Sequence, residues 1–233
     1  MTLFITRNLR DNILEFETNV SDPKSEAAPV PLPLFGDAFD RFIAITAIIF
    51  FLPFYMLVSI ILLIGEGRPL FFRQLRIGRN GRHFTCLKFR TMAPNADKLL
   101  SDLLDRDPEA KKEWVQNQKL AFDPRISCVG RFLRKSSLDE LPQFWNVVRG
   151  EMALVGPRPI IDDEIRHYGE HFEDYISVKP GITGHWQVNG RSTTTYQQRV
   201  EMDVDYIRNR SRRRDIGILF KTVRVVLTGH GAS

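Results

Sequence analysis

Asp139 and Glu140 stand side by side and are followed at once by Leu141-Pro142-Gln143. Proline is tolerated only near a helix start, so the acidic pair must lie in or just before a first helical turn. Free backbone N–H groups and the positive end of the helix dipole keep a carboxylate ionised there and also attract a phosphate. An ionised carboxylate is a competent nucleophile toward phosphorus, forming an acyl phosphate, and its neighbour could hold a divalent cation. The same residues also spell a capping box, Ser137-x-x-Glu140, with Asp139 as dipole ballast. Capping boxes far outnumber carboxylate nucleophiles, so local physics alone leans to the box.

Other residues could serve the same chemistry. In Gly156-Pro157-Arg158-Pro159 the flanking prolines fix the backbone of one arginine, whose guanidinium can fork onto two phosphate oxygens; a solvated surface arginine is the plain alternative. Lys179-Pro180-Gly181-Ile182-Thr183-Gly184 and Asn189-Gly190-Arg191 offer a second glycine-rich turn and another arginine, though a generic hairpin explains the glycines equally well. On a helix Glu201 and Asp205 share a face while Asp203 points elsewhere; one of the three could take a metal ion, and a solvated face is the default. His167, His171 and His185 lack zinc-binding spacing. Cys86 and Cys128, the only cysteines, lie far apart without a ligand pattern. That excludes a disulfide scaffold and leaves them as buried small hydrophobes.

These residues need elements to position them. Phe42 to Ile64 runs without a charge, amide or glycine, and as a straight helix it would reach about 35 Å, enough for a bilayer core. Pro53 at its middle removes a backbone donor and predicts a sharp bend with arms of about 16 Å. Hydropathy favours a kinked span over a re-entrant hairpin, since proline is tolerated in spanning helices. Residues 65 to 90 carry seven Lys or Arg against Glu66 alone, so the C-terminal side faces the cytoplasm. Residues 1–36, with Asp22-Pro23 and the alternating Pro29, Pro31 and Pro33, read as a mobile arm.

After the membrane segment, Phe71 to Ile77 and Arg82 to Phe89 flank Gly78-Arg79-Asn80-Gly81, which predicts a basic β-hairpin closed by a two-residue turn. Leu99, Leu100, Leu103 and Leu104 predict one helix, and Asp107-Pro108 starts another. Further helices are expected from near Asp139, over roughly Asp162 to Tyr175, and from near Thr195. The C-terminal stretch is amphipathic, with Ile216, Leu219, Phe220, Val223, Val226 and Leu227 on one stripe. Five arginines lie between Arg208 and Arg214. They lack the interleaved aromatics of a nucleic-acid surface and precede that stripe, so anionic lipid headgroups suit them better. With 43% hydrophobic residues and a net charge of +5 from 33 basic and 28 acidic side chains, the chain can bury a core and is not disordered throughout.

Taken in order, the motifs resemble a known family. Phe71-Phe72-Arg73-Gln74, Lys88-Phe89-Arg90-Thr91-Met92, Leu138-Asp139-Glu140-Leu141-Pro142-Gln143, Arg149-Gly150-Glu151-Met152, Val155-Gly156-Pro157-Arg158-Pro159, Pro180-Gly181-Ile182-Thr183-Gly184 and Asn189-Gly190-Arg191 are similar to those of the bacterial sugar transferases, the monotopic phosphoglycosyl transferases. The likeness runs from about Phe39 to Leu227, with the short exopolysaccharide-initiating members nearest.

The resemblance implies transfer of a sugar 1-phosphate, galactose or glucose, from a UDP-sugar to undecaprenyl phosphate at the cytoplasmic face of the bacterial inner membrane, releasing UMP, with Mg2+ as cofactor. It makes Asp139 the nucleophile and gives Glu140 metal binding or proton handling. Arg134, Arg158 and Arg191 match positions near substrate phosphates. Lys88 and Asp203 match further active-site positions, Lys88 toward phosphate and Asp203 toward metal.

It also implies a membrane helix that re-enters at Pro53, where this chain has Leu52 in place of the serine of well-known members. The fold expected is therefore α+β, a mostly helical catalytic domain over 67–233 with a basic β-hairpin, preceded by a proline-broken re-entrant helix over 37–66. Anionic lipids are expected partners, nucleic acid is not, and a homodimer stays open. The competing reading is a non-catalytic, membrane-anchored scaffold whose basic face recruits anionic partners.

Overall fold

The structure is a computed structural model and describes residues 36–117, 120, 122–190 and 194–228. The arm expected over 1–36 lies outside the described residues except for Gly36, and Arg191 lies outside them as well.

The apolar run forms two helices, α1 (Asp37–Phe50) and α2 (Leu52–Glu66), bent by 58° at Phe51. Pro53 occupies the first turn of α2, where its missing N–H costs least, so the chain restarts a helix at the proline. The arms have 14 and 15 residues, hence about 21 and 22 Å, longer than expected because α1 already begins at Asp37 and α2 runs on past the apolar run to Glu66. Among the described residues no single helix is long and apolar enough to cross a membrane. Each arm buries one side: Ala44 of α1 packs with Val147 and Met152, and Tyr55, Val58 and Leu62 of α2 pack with Phe89 and Leu133. Phe42, Ile49, Phe50, Met56, Ile60 and Ile64 on the other side are exposed. Both ends are tied to the domain that follows. Lys179 Nζ lies 2.8 Å from Asp37, and Arg90 donates to the carbonyls of Glu66 and Gly67 at 3.0 Å.

Strands β1 (Phe71–Ile77) and β2 (His83–Phe89) form the expected antiparallel hairpin, with Phe71 opposite Phe89 and Ile77 opposite His83. Asn80 and Gly81 both take positive φ, and Arg82 N–H donates to Arg79 C=O, which gives the Asn-Gly turn. Gly78 N–H donates to Arg82 C=O as well, so Gly78 and Arg79 together face one residue and the turn carries a bulge.

Helices α3 (Ala96–Arg106) and α4 (Pro108–Asn117) stand as expected, with Asp107 Oδ1 capping α4 through the N–H groups of Glu109 and Ala110. Helix α5 (Cys128–Ser136) was not foreseen; Ser127 caps it, and Gly130 lies against Thr91 so closely that an added Cβ would meet the Thr91 carbonyl at 2.1 Å. Cys86 is buried as expected, whereas Cys128 is exposed.

A 3-10 turn (Leu138–Glu140) leads into α6 (Gln143–Arg149). Strand β3 (Ala153–Val155) pairs in parallel with β4 (Gly181–Thr183), so the glycine-rich turn belongs to a long-range pairing and not to a hairpin. The segment expected as one helix over Asp162 to Tyr175 is broken into α7 (Ile165–Tyr168) and α8 (Phe172–Ser177), because Gly169 takes a φ of 51° between them. After α9 (His185–Asn189) come α10 (Tyr196–Arg208), closed by a Thr195–Gln198 capping box, and α11 (Arg212–Thr228). The result is α+β, mostly helical, with two small sheets.

Candidate active site

The acidic pair sits on the 3-10 turn, and the capping box is not formed. Ser137 takes a left-handed conformation with φ 57° and closes α5, so it cannot cap the next helix. The Glu140 side chain is thereby free to turn toward β2, where Lys88 Nζ donates to its Oε1 at 2.5 Å. Arg158 Nη1 lies 4.0 Å from the same oxygen. Burial works to raise the Glu140 carboxyl, but Lys88, Arg158 and Arg76 outweigh it and hold it below the usual range. Asp139 is 9% exposed. Burial and the neighbouring Glu140 push its carboxyl up to about 6, with Lys88 and Arg134 pulling against them.

Three structural devices set this arrangement. Strand alternation points Lys88 at Glu140 and buries Phe89 in the core. Arg134, on the last turn of α5, donates from Nε to Thr91 Oγ1 at 2.8 Å and senses the Asp139 charge. Arg158 rides on a loop whose backbone is packed without clearance: a Cβ on Gly156 would meet Lys179 O at 2.6 Å, and one on Gly181 would meet Gly156 N at 2.1 Å.

Sequence reasoning missed Arg76. Its Nη1 donates to Pro159 C=O at 2.8 Å and lies 3.4 Å from Glu164, and it lines a small cavity with Lys88, Glu140, Gln143 and Arg158. The strand reads apolar at Leu75 and charged at Arg76, yet Leu75 is exposed and Arg76 largely buried, the reverse of a half-buried strand's ordinary alternation.

Lys88, Arg134, Asp139, Glu140 and Arg158 are thus brought together. Asp203, on which Arg158 also acts, is no solvated residue: at 1% exposure it sits on α10 and accepts a 2.9 Å hydrogen bond from Tyr168 at Oδ2. Its Oδ1 has no hydrogen-bond partner among the described residues. Burial pushes this carboxyl up to about 8 against the pull of Tyr168 and Arg158. Among the described residues no group of three or more His, Cys, Asp or Glu side chains is arranged to hold a metal ion. Glu201 and Asp205 remain exposed. Of the five clustered arginines, Arg208 pairs with Asp174, Arg214 with Asp205, and Arg210 lies 4.0 Å from Asp215, while Arg212 and Arg213 are exposed.

The acidic pair thus lies among several cations, in a domain that packs against a bent apolar helix pair. Comparison with known proteins names the family: residues 33–229 match bacterial sugar transferases, and the chain belongs to that family. It is 47% identical over 194 residues to the UDP-galactose-lipid carrier transferase of Erwinia amylovora, covering 83% of this chain and 40% of that protein. It is 50% identical over 167 residues to the undecaprenyl-phosphate galactose phosphotransferase of Salmonella typhimurium, covering 72% and 35%. With the exopolysaccharide production protein ExoY of Sinorhizobium fredii it shares 44% over 195 residues, covering 84% and 86%. The chain therefore spans two fifths or less of the first two relatives and most of the third.

Proposed function

We propose that the chain transfers a sugar 1-phosphate, galactose or glucose, from a UDP-sugar to undecaprenyl phosphate, as the first step of surface-polysaccharide assembly. The observation that carries this reading is Asp139, a buried carboxyl pushed up only to about 6 and so left ionised near neutral pH, beside a Glu140 whose charge is already matched by Lys88 and Arg158. The names of the relatives support the lipid acceptor and the role in exopolysaccharide production.

In the first displacement an Asp139 oxygen forms a bond to the sugar-bearing phosphorus, the bridging P–O bond breaks, and UMP leaves with that bond's electron pair. In the second, a phosphate oxygen of the lipid attacks the same phosphorus and the Asp139 carboxylate leaves. Splitting the transfer in two spares the site from holding the soluble and lipid-borne substrates together. Lys88, Arg134 and Arg158 are the cations available to the phosphates, and Arg191 is assigned beside them by family resemblance. A Mg2+ ion, if bound, would be held by Glu140 and would neutralise phosphate charge. Asp203, also assigned to metal by family resemblance, is buried against Tyr168 with its Oδ1 unpartnered among the described residues.

The bent pair is read as re-entrant, with 67–233 at the cytoplasmic face of the bacterial inner membrane. Each arm is shorter than the roughly 30 Å of a hydrocarbon core, and both ends bind one domain through Asp37–Lys179 and Glu66–Arg90. On α11, Ile216, Phe220, Val223 and Val226 are exposed just after Arg212 and Arg213, as in a helix lying on an anionic lipid surface.

Incubation with radiolabelled UDP-sugar and no lipid acceptor tests the chemistry. Label is expected on the protein, at Asp139 by mass spectrometry, and none on Asp139→Asn; an adduct at another residue overturns the assignment. Cysteine labelling of the N-terminal arm tests topology, and accessibility from the periplasmic side overturns the re-entrant reading.

A further inference from the structure

Tyr55 lies on α2, two residues after the helix-breaking proline, and is 8% exposed. Its hydroxyl donates to the backbone carbonyl of Leu141 at 2.6 Å. Leu141 directly follows Glu140, so this bond joins the apolar helix pair to the turn bearing the acidic pair.

That turn needs outside support. Its own backbone bonds are long, Glu140 N to Ser137 O at 3.4 Å and Leu141 N to Leu138 O at 3.3 Å. Ser137 stands at positive φ without being glycine, and Pro142 has no N–H to give. Support comes from Lys88 on the Glu140 side chain, and from Leu138 and Leu141 packed against the cluster of Tyr55, Val58, Leu62, Phe89 and Leu133. The Tyr55 ring lies 5.5 Å from that of Phe89, next to Lys88 on the same strand. One phenol thus sits where the bent pair, the β-hairpin and the acidic turn meet.

We propose that Tyr55 is a positioning residue for the transfer reaction: its hydroxyl fastens the turn to the apolar arm and holds Asp139 at a set depth relative to a lipid-borne phosphate. The inference rests on the transferase reading above. The cations that face the donor phosphates sit on β2, α5 and the Arg158 loop, so loosening this bond should misalign the nucleophile while leaving donor binding in place.

The test uses the full chain in nanodiscs containing undecaprenyl phosphate, with UMP release measured for UDP-galactose or UDP-glucose, whichever the wild type turns over. Tyr55→Phe keeps the ring and removes the donor. Its kcat should fall about fivefold to tenfold, as loss of one hydrogen bond's alignment predicts, with the donor KM within about twofold. Vesicle binding and folding should be retained. A 3-fluorotyrosine at position 55 keeps the donor and should restore the rate. Wild-type kcat in Tyr55→Phe overturns the inference, as does a rate loss that tracks lost membrane binding or lost folded protein. Absence of UMP release from the wild type would instead bring down the transferase reading itself, and this inference with it.

Discussion

Asp139 and Asp203 are both buried carboxyls, and burial is the largest influence on each, yet they end on opposite sides of neutrality. Asp139 is pushed up to about 6, where Lys88 and Arg134 pull against burial, and so carries its charge near pH 7. Asp203 shares its surroundings with Tyr168 and Tyr175, feels the cation Arg158, and is pushed up to about 8, so it stays neutral at the same pH. Removal from water prepares a carboxylate by stripping its solvation, but only nearby cations keep it ionised and so able to attack phosphorus. On the transferase reading proposed above, the two residues offer the same functional group for different purposes, one as a nucleophile and one as a neutral packing partner.

The largest expected effect breaks the comparison on the Asp139 side. Asp139→Asn should reduce UMP release by at least about a thousandfold, as expected for loss of a covalent nucleophile. The same substitution should stabilise the fold. The folded protein keeps this proton up to about pH 6, whereas the unfolded chain releases it near the ordinary 3.8. Folding stability therefore falls as pH rises between those values, and at pH 7 the penalty stands in full, about 3 kcal/mol. Asparagine removes it, so thermal melts should show the variant above wild type near pH 7 and the two converging near pH 4. A less stable variant near pH 7 would mean that the acid is held for structure.

Lys88→Met sharpens the same comparison by making the acidic pair more like Asp203. Both carboxyls lose a cation, so the acidic limb of the kcat/KM profile should move above about pH 6, with activity at neutral pH down on the order of a hundredfold. An unmoved limb would show that Lys88 acts only on substrate. Arg76→Lys should cost less, about tenfold in kcat/KM and mostly as a raised donor KM. Lysine keeps the charge but cannot reach Pro159 C=O, Glu164 and Gln74 at once, and the Arg158 loop is left less fixed.

The sequence showed the acidic pair, the hairpin, the helix break at Pro53 and the α10 cap, because each is written in neighbouring residues. It misled where a local pattern had two uses. Ser137-x-x-Glu140 satisfies the capping-box spacing, but a left-handed Ser137 ends α5, a helix not foreseen, and the box is lost. The amphipathic stripe of α11 was legible, but its exposed Phe220 and Val223 face away from the core, which Ile218 and Asp215 join instead. The contacts that position Arg158 were invisible, since Arg76 to Pro159 spans 83 residues and the β3–β4 pair joins segments that no local periodicity connects. The roles of Asp139 and Asp203 could not be separated by residue type either, because what divides them is the number of cations that the fold folds over each.

The smallest effect is expected at Asp203, and its sign is the most informative. A neutral carboxyl and an amide have nearly the same shape, so Asp203→Asn should leave kcat within about threefold and the melting temperature near pH 4 close to wild type. The unpartnered Oδ1 is the position where the acid proton, or the amide group, would sit. Above the ordinary 3.8 and up to about 8 the folded protein binds a proton that the unfolded chain has lost, so wild-type stability declines with slope about 1.4 kcal/mol per pH unit across that window. The asparagine variant has no such slope, and its melting temperature should exceed wild type by a margin that widens as pH rises toward 8. A margin that narrows instead would mean that Asp203 is ionised in the folded protein and held by a cation, which would return it to the metal-binding role that the family resemblance implies.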